Sequence, residues 1–199
     1  MYILPKLIRK IFGFPAIKNS VINKKSKIDV FSIVVNCKIG KYSYIGEHSS
    51  VINVEFGSFT SVSNYCAIGG GNHALSWIST SPLFNSSTSI LHERFSDNEY
   101  DPFLKTYVGN DVWIGTHCII RAGVKISDGA VIGMGSIVTK DIGPYEVWAG
   151  NPAKMIRKRF DDKTIKKLME SQWWNWPIEK IKLSADTFNS VDKFVGYLK

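Results

Sequence analysis

Aliphatic residues recur every six positions at Val108, Ile114, Ile120, Ile126, Ile132 and Val138. This period excludes most folds open to a chain of 199 residues. An α-helix would scatter these side chains around its axis, and a simple hairpin would alternate every two residues. A solenoid accommodates the spacing, because each flat face consumes one hexapeptide and three faces close one coil. Upstream the same spacing appears at Ile33, Ile39, Ile45 and Val51, slips by one residue near Glu55, and resumes at Phe56, Val62 and Ile68. Four positions after each anchor the residue is small or aliphatic: Cys37, Ser43, Ser49, Thr60, Cys66, Val112, Cys118, Val124, Ala130, Ser136 and Ile142. Anchors and fourth-place residues are expected to point inward and stack on their equivalents in neighbouring coils, with the Gly after many anchors permitting the corner. Every cysteine falls in this one slot, which makes the thiols core filler rather than nucleophiles, disulfide partners or zinc ligands.

The repeat fails once. After Ile68 the chain reads Gly69-Gly70-Gly71-Asn72-His73, with Asn72 in a normally small inward slot, and the next anchor is Val108. Residues 74–107 therefore leave the solenoid. Their aromatic and proline content (Trp77, Pro82, Phe84, Phe95, Tyr100, Phe103) predicts a folded flap. Loops mounted on a rigid scaffold are where sites are built, although a surface insertion covering a coil edge is the plain alternative. His73 stands at the mouth of this excursion, and an imidazole, with an ordinary pKa of about 6.5, is the natural base for an alcohol proton near neutrality.

The motifs around the break carry a resemblance. Asn72-His73 followed by Ser79-Thr80-Ser81-Pro82-Leu83-Phe84, the re-entry Gly109-Asn110-Asp111-Val112-Trp113-Ile114-Gly115, the closing Ala149-Gly150-Asn151-Pro152-Ala153-Lys154 and the tail through Trp173-Trp174-Asn175-Trp176-Pro177 are similar to the hexapeptide-repeat acyltransferases, in their xenobiotic and related O-acetyltransferase branch. The resemblance implies a left-handed parallel β-helix, a homotrimer with sites between subunits, and acetyl-CoA as co-substrate. It implies His73 as general base in direct transfer to a hydroxyl, with no acyl-enzyme. Carried over by motif, Trp113 lies near the thioester, Thr116, Thr139 and Lys140 touch pantetheine or adenine, and Arg157 approaches a CoA phosphate. Asn72, Trp77 and Phe84 are the expected acceptor contacts. Met1 to Lys27 has no counterpart to the acceptor-shaping segment of the antibiotic-modifying members. That favours a sugar hydroxyl of a surface polysaccharide or its precursor, with chloramphenicol or a streptogramin, or an amino-sugar nitrogen, as alternatives. A non-catalytic trimeric scaffold is the contrasting class, since fold does not fix activity.

Composition trims these readings. The formal charge of +8 is spread along the chain, densest at Lys154, Arg157, Lys158 and Arg159, which fits a small phosphate-bearing ligand or a solvated face and gives no nucleic-acid footprint. His48 and His117 share a repeat slot that His73 does not, so no zinc site is expected. Three cysteines without paired spacing, no signal peptide and no membrane-length apolar run indicate the cytoplasm, although the basic amphipathic start could touch a membrane surface. The expected organisation is an all-β solenoid: a basic segment 1–27, the β-helix 28–153 with its loop excursion, and a helical tail 154–199. In that tail Asp161 or Asp162 caps a helix with an Ile165, Leu168, Met169 stripe, and the Trp173, Trp174, Trp176 cluster acts as a packing plug that closes an open end.

Overall fold

The computed structural model describes residues 12–85 and 92–198. Three parallel sheets form the faces of a triangular prism. The first face stacks Ala16–Lys18, Ile33–Val35, Ser50–Ile52, Ala67–Gly69, Ile119–Ile120 and Ile137–Val138. The second stacks Val21–Ile22, Lys38–Ile39, Val54–Phe56, Thr106–Val108 and Lys125–Ile126. The third runs from Lys27–Ile28 through Tyr44–Ile45, Ser61–Val62, Trp113–Ile114 and Val131–Ile132 to Glu146–Gly150, where Ala153–Lys158 turns back antiparallel. The β-helix thus starts at Ala16, well before residue 28, and its last strand runs to Lys158, past residue 153. The basic start up to residue 11 lies outside the described residues.

Every fourth-slot residue named from the sequence is buried, and with the anchors from Ile39 onward these side chains fill one dry column. The earliest anchor needs correction. Ile33 faces outward at 46% exposure, and Val34, fully buried, takes the inward place. The reason is a recurring five-residue step: Val34 is followed inward by Ile39 just as Val51 is followed by Phe56, and Ile33 pairs with Ser50 while Val34 pairs with Val51. The slip near Glu55 is therefore one instance of a compressed corner. After the excursion the same corner, between Ile120 and Ile126, takes the full six residues.

Hydroxyls and thiols in the fourth slot tie coil to coil. Ser43 Oγ donates to the Gly57 carbonyl at 3.0 Å and accepts the Thr60 N–H at 3.0 Å, while Thr60 Oγ1 donates to the Gly109 carbonyl at 2.8 Å. The glycines after the anchors also have a different cause from the one expected. A Cβ on Gly115 would stand 2.6 Å from the backbone nitrogen of Met134, so close approach of the next coil excludes it. The left-handed corners are instead taken by residues such as His48 (φ 57°), Tyr65 (φ 60°) and His117 (φ 60°), and by Gly135 one coil further. Phe31, His48, Tyr65 and His117 stack at 4.9, 5.0 and 5.0 Å between successive centroids, and these ring contacts help offset the backbone cost.

Three helices follow: α1 (Asp162–Ser171), α2 (Ile178–Ser184) and α3 (Val191–Tyr197). Asp161 caps α1, its Oδ1 accepting the Thr164 N–H at 2.7 Å, a bond that also lowers the carboxyl pKa. Ile165 and Leu168 bury with Trp173, Trp174 and Phe194 in a second core, which half-buried Met169 and Trp176 flank. This core does not close an open end of the prism. Trp173 rests on Phe59 at 5.0 Å, and Arg159 stacks on Tyr145 and pairs with Asp111 at 3.2 Å. Phe59, Asp111 and Tyr145 all belong to the corner between the second and third faces, so the tail lies along the flank.

Candidate active site

The excursion leaves the first face at Gly69 and rejoins the second at Thr106, which places it on the corner those faces share. Its stem is fixed by backbone bonds: Gly70 N–H to the Ile52 carbonyl at 3.1 Å and Asn72 N–H to the Pro102 carbonyl at 2.7 Å. Both donors are committed to the fold, so the Gly70 N–H of the glycine run is not free to meet negative charge developing on a ligand. Asn53 Nδ2 holds the returning strand through the Phe103 carbonyl at 2.7 Å.

His73 is exposed at the top of this stem, and its Nδ1 lies 2.7 Å from the Thr80 carbonyl oxygen. A carbonyl only accepts, so Nδ1 carries a hydrogen, and in the neutral ring the lone pair belongs to Nε2. Local geometry makes this contact. Ser81 Oγ accepts the Leu83 N–H at 3.3 Å and starts a short 3-10 turn, Pro82–Phe84, which turns the Ser79–Ser81 segment back toward the stem. With no carboxylate in the local motif, a backbone carbonyl is the acceptor to expect for this nitrogen, but residue types cannot say which one, because any side chain at position 80 brings the same oxygen.

The other expected acceptor contacts gather in the same loop. Asn72 is half-buried, and its Nδ2 has no hydrogen-bond partner among the described residues. Trp77 meets Tyr100 edge-on at 5.7 Å, and Phe84 meets Phe95 edge-on at 5.6 Å. Tyr100 and Phe95 are thus the unrecognised supports of the two aromatic contacts.

The residues expected to hold CoA divide. Thr139 and Lys140 follow the first-face strand Ile137–Val138, on the same corner as the excursion but two coils on, about 10 Å along the prism. Trp113, half-exposed, belongs to the third face, in one ladder row that continues through Val131 and Val147 to Arg157. Thr116 follows at the corner between the third and first faces. One chain therefore does not bring Trp113, Thr116 and Arg157 to His73. His48 and His117 sit in the ring column on that third-to-first corner, away from the excursion. No group of three His, Cys, Asp or Glu side chains able to hold a metal ion occurs among the described residues.

The chain is thus a three-faced parallel β-helix that expels one long loop headed by an oriented imidazole. The profile described as bacterial transferase hexapeptide (six repeats) matches residues 105–140. A chloramphenicol acetyltransferase of Morganella morganii is 41% identical over 145 residues, covering 67% of this chain and 67% of that protein. The galactoside O-acetyltransferase of Escherichia coli K12 is 52% identical over 69 residues, 35% of this chain and 34% of the relative. In fold, the crystal structure of AntD, an N-acyltransferase from Bacillus cereus in complex with dTDP and 3-hydroxybutyryl-CoA, superposes with a TM-score of 0.57 at 21% identity, covering 94% of this chain and 97% of AntD. The chain belongs to the hexapeptide-repeat acyltransferase family. The match spans about two thirds of the length of the chloramphenicol acetyltransferases it aligns with.

Proposed function

We propose that the protein is an acetyl-CoA-dependent O-acetyltransferase that acts in the cytoplasm on a sugar hydroxyl of a surface polysaccharide or its precursor, with His73 as general base. The single observation that carries this reading is the 2.7 Å contact between His73 Nδ1 and the Thr80 carbonyl, which leaves an exposed Nε2 lone pair to receive a proton. In the reaction the acceptor O–H gives its proton to Nε2 as its oxygen bonds to the thioester carbonyl carbon. The tetrahedral adduct then collapses, the C–S bond breaks, and the imidazolium returns the proton to the departing sulfur, giving the acetyl ester and free CoA thiol. Base catalysis of this kind contributes about 100- to 10,000-fold, and holding both reactants in line removes some 7–11 kcal/mol of the barrier.

The division of the CoA residues supports a homotrimer. A second copy that sets its third face against this corner would bring the row ending at Arg157 to the loop of the first, and the cation suits a phosphate at the far end of an extended thiol arm. Thr139 and Lys140 would face the same groove from the His73 side. Chloramphenicol as acceptor is the second reading, favoured by relatives more than 40% identical to this chain.

Thiol release from acetyl-CoA, measured with panels of sugars and of drugs, tests the proposal. His73→Ala is expected to lose at least about 100-fold in kcat while still binding acetyl-CoA. Equal turnover by wild type and variant would remove His73 as the base, and absence of turnover with every acceptor would remove the transferase reading.

A further inference from the structure

The excursion also builds a cleft whose lining the transfer step itself does not use. About 720 Å³ opens between the stretch Ser76–Ser79, Phe84, and the pair Asn98 and Glu99. This volume is in the range of small-molecule sites. Trp77 and Phe84 give the lining an aromatic part, each braced edge-on by Tyr100 and Phe95. The polar part is pinned within the loop: Asn98 Nδ2 donates to the Phe84 carbonyl at 3.4 Å and to Ser96 Oγ at 3.0 Å, which commits its donors and leaves its amide oxygen to accept. Glu99 follows it directly, is exposed, and is the one charged residue of the lining. Among the described residues it has no ion-pair partner, although the chain as a whole carries +8.

A lining that combines aromatic rings with hydrogen-bond acceptors suits a pyranose, which has an apolar C–H face and a rim of O–H donors. A carboxylate in that place strengthens bonds from hydroxyl or ammonium donors and opposes a second carboxylate. We infer that this cleft is the acceptor subsite and that Glu99 is its charge filter, admitting uncharged and amine-bearing pyranosides and turning carboxylated ones away. The inference rests on the transferase reading above and narrows its substrate class.

The test uses the full chain with acetyl-CoA and three acceptors of one ring type: methyl glucoside, glucosamine and glucuronate. Because Glu99 is solvent-exposed, its field is screened, and a discrimination of about threefold to fivefold in kcat/KM against glucuronate is expected in the wild type. Glu99→Gln should bring the glucoside-to-glucuronate ratio close to one, and Glu99→Lys should invert it, with KM for acetyl-CoA unchanged in both. A wild-type ratio that survives both substitutions overturns the charge filter and leaves the transferase reading standing. Acetylation of chloramphenicol with no turnover of any pyranoside also overturns the inference alone, whereas failure with every acceptor overturns both.

Discussion

Replacing Ser43 by alanine tests the coil-to-coil ladder on which the whole scaffold depends. Ser43 is 2% exposed, accepts the Thr60 N–H at 3.0 Å and donates to the Gly57 carbonyl at 3.0 Å. Two hydrogen bonds worth about 0.5–1.5 kcal/mol each are lost, and the stranded Thr60 N–H adds the cost of a buried donor, about 1–3 kcal/mol. The sum is about 2–6 kcal/mol against a total stability of order 5–15 kcal/mol, which for a chain of this length lowers Tm by about 4–24 °C. Ser43→Cys should cost less, under about 1.5 kcal/mol. The thiol of Cys66 already fills an equivalent slot, reaching the Gly115 carbonyl at 3.2 Å while the Cys66 N–H is satisfied by Ser49. Equilibrium urea unfolding at fixed protein concentration, followed by tryptophan fluorescence and far-UV circular dichroism, measures both. A Ser43→Ala variant within about 0.5 kcal/mol of wild type would refute the idea that these hydroxyls hold neighbouring coils together.

Two further outcomes follow from buried acids. Tyr145 is 2% exposed, and burial, reinforced by the Asp111 carboxylate, pushes its phenol up to about 12 from an ordinary 10. A group with a raised folded-state pKa contributes stability that is complete below about pH 10 and is lost as pH rises through 12, here about 2–3 kcal/mol. Alkaline unfolding curves for Tyr145→Phe should lack that component, and an unchanged curve would contradict the assignment. Burial likewise raises the Cys66 thiol to about 11, with Cys37 and Cys118 shifted in the same direction. At pH 8 Cys66 is then thiolate in roughly one molecule in a thousand, so a thiol-reactive disulfide reagent should label the folded protein only as it unfolds; labelling within minutes under native conditions would contradict the core placement.

Much of this protein was legible from spacing alone. A six-residue period is a local, one-dimensional property, so it specifies the slots that face inward, and Cys37, Ser43, Thr60, Val112 and Ser136 are buried as their slots require. The interruption after Ile68 likewise marked His73 and its loop. Spacing could not decide between Ile33 and Val34, because both are β-branched and aliphatic, and only the pairing of Val34 with Val51 reveals the five-residue corner. Nor could it assign the glycines, whose necessity comes from the backbone of the next coil.

The sequence by itself determined the repeat, the core column, the capped tail helix and the presence of a candidate base. Tertiary structure alone decided that Nδ1 of that base meets the Thr80 carbonyl, that the tail lies against the flank at Phe59 and Tyr145, and that Trp113 and Arg157 share a face remote from His73. The physical reason is range. A slot repeats within a few residues along the chain, whereas the return of a loop onto its own stem, the docking side of a tail and the face reached by a given rung depend on how coils of 16 to 18 residues add up in space.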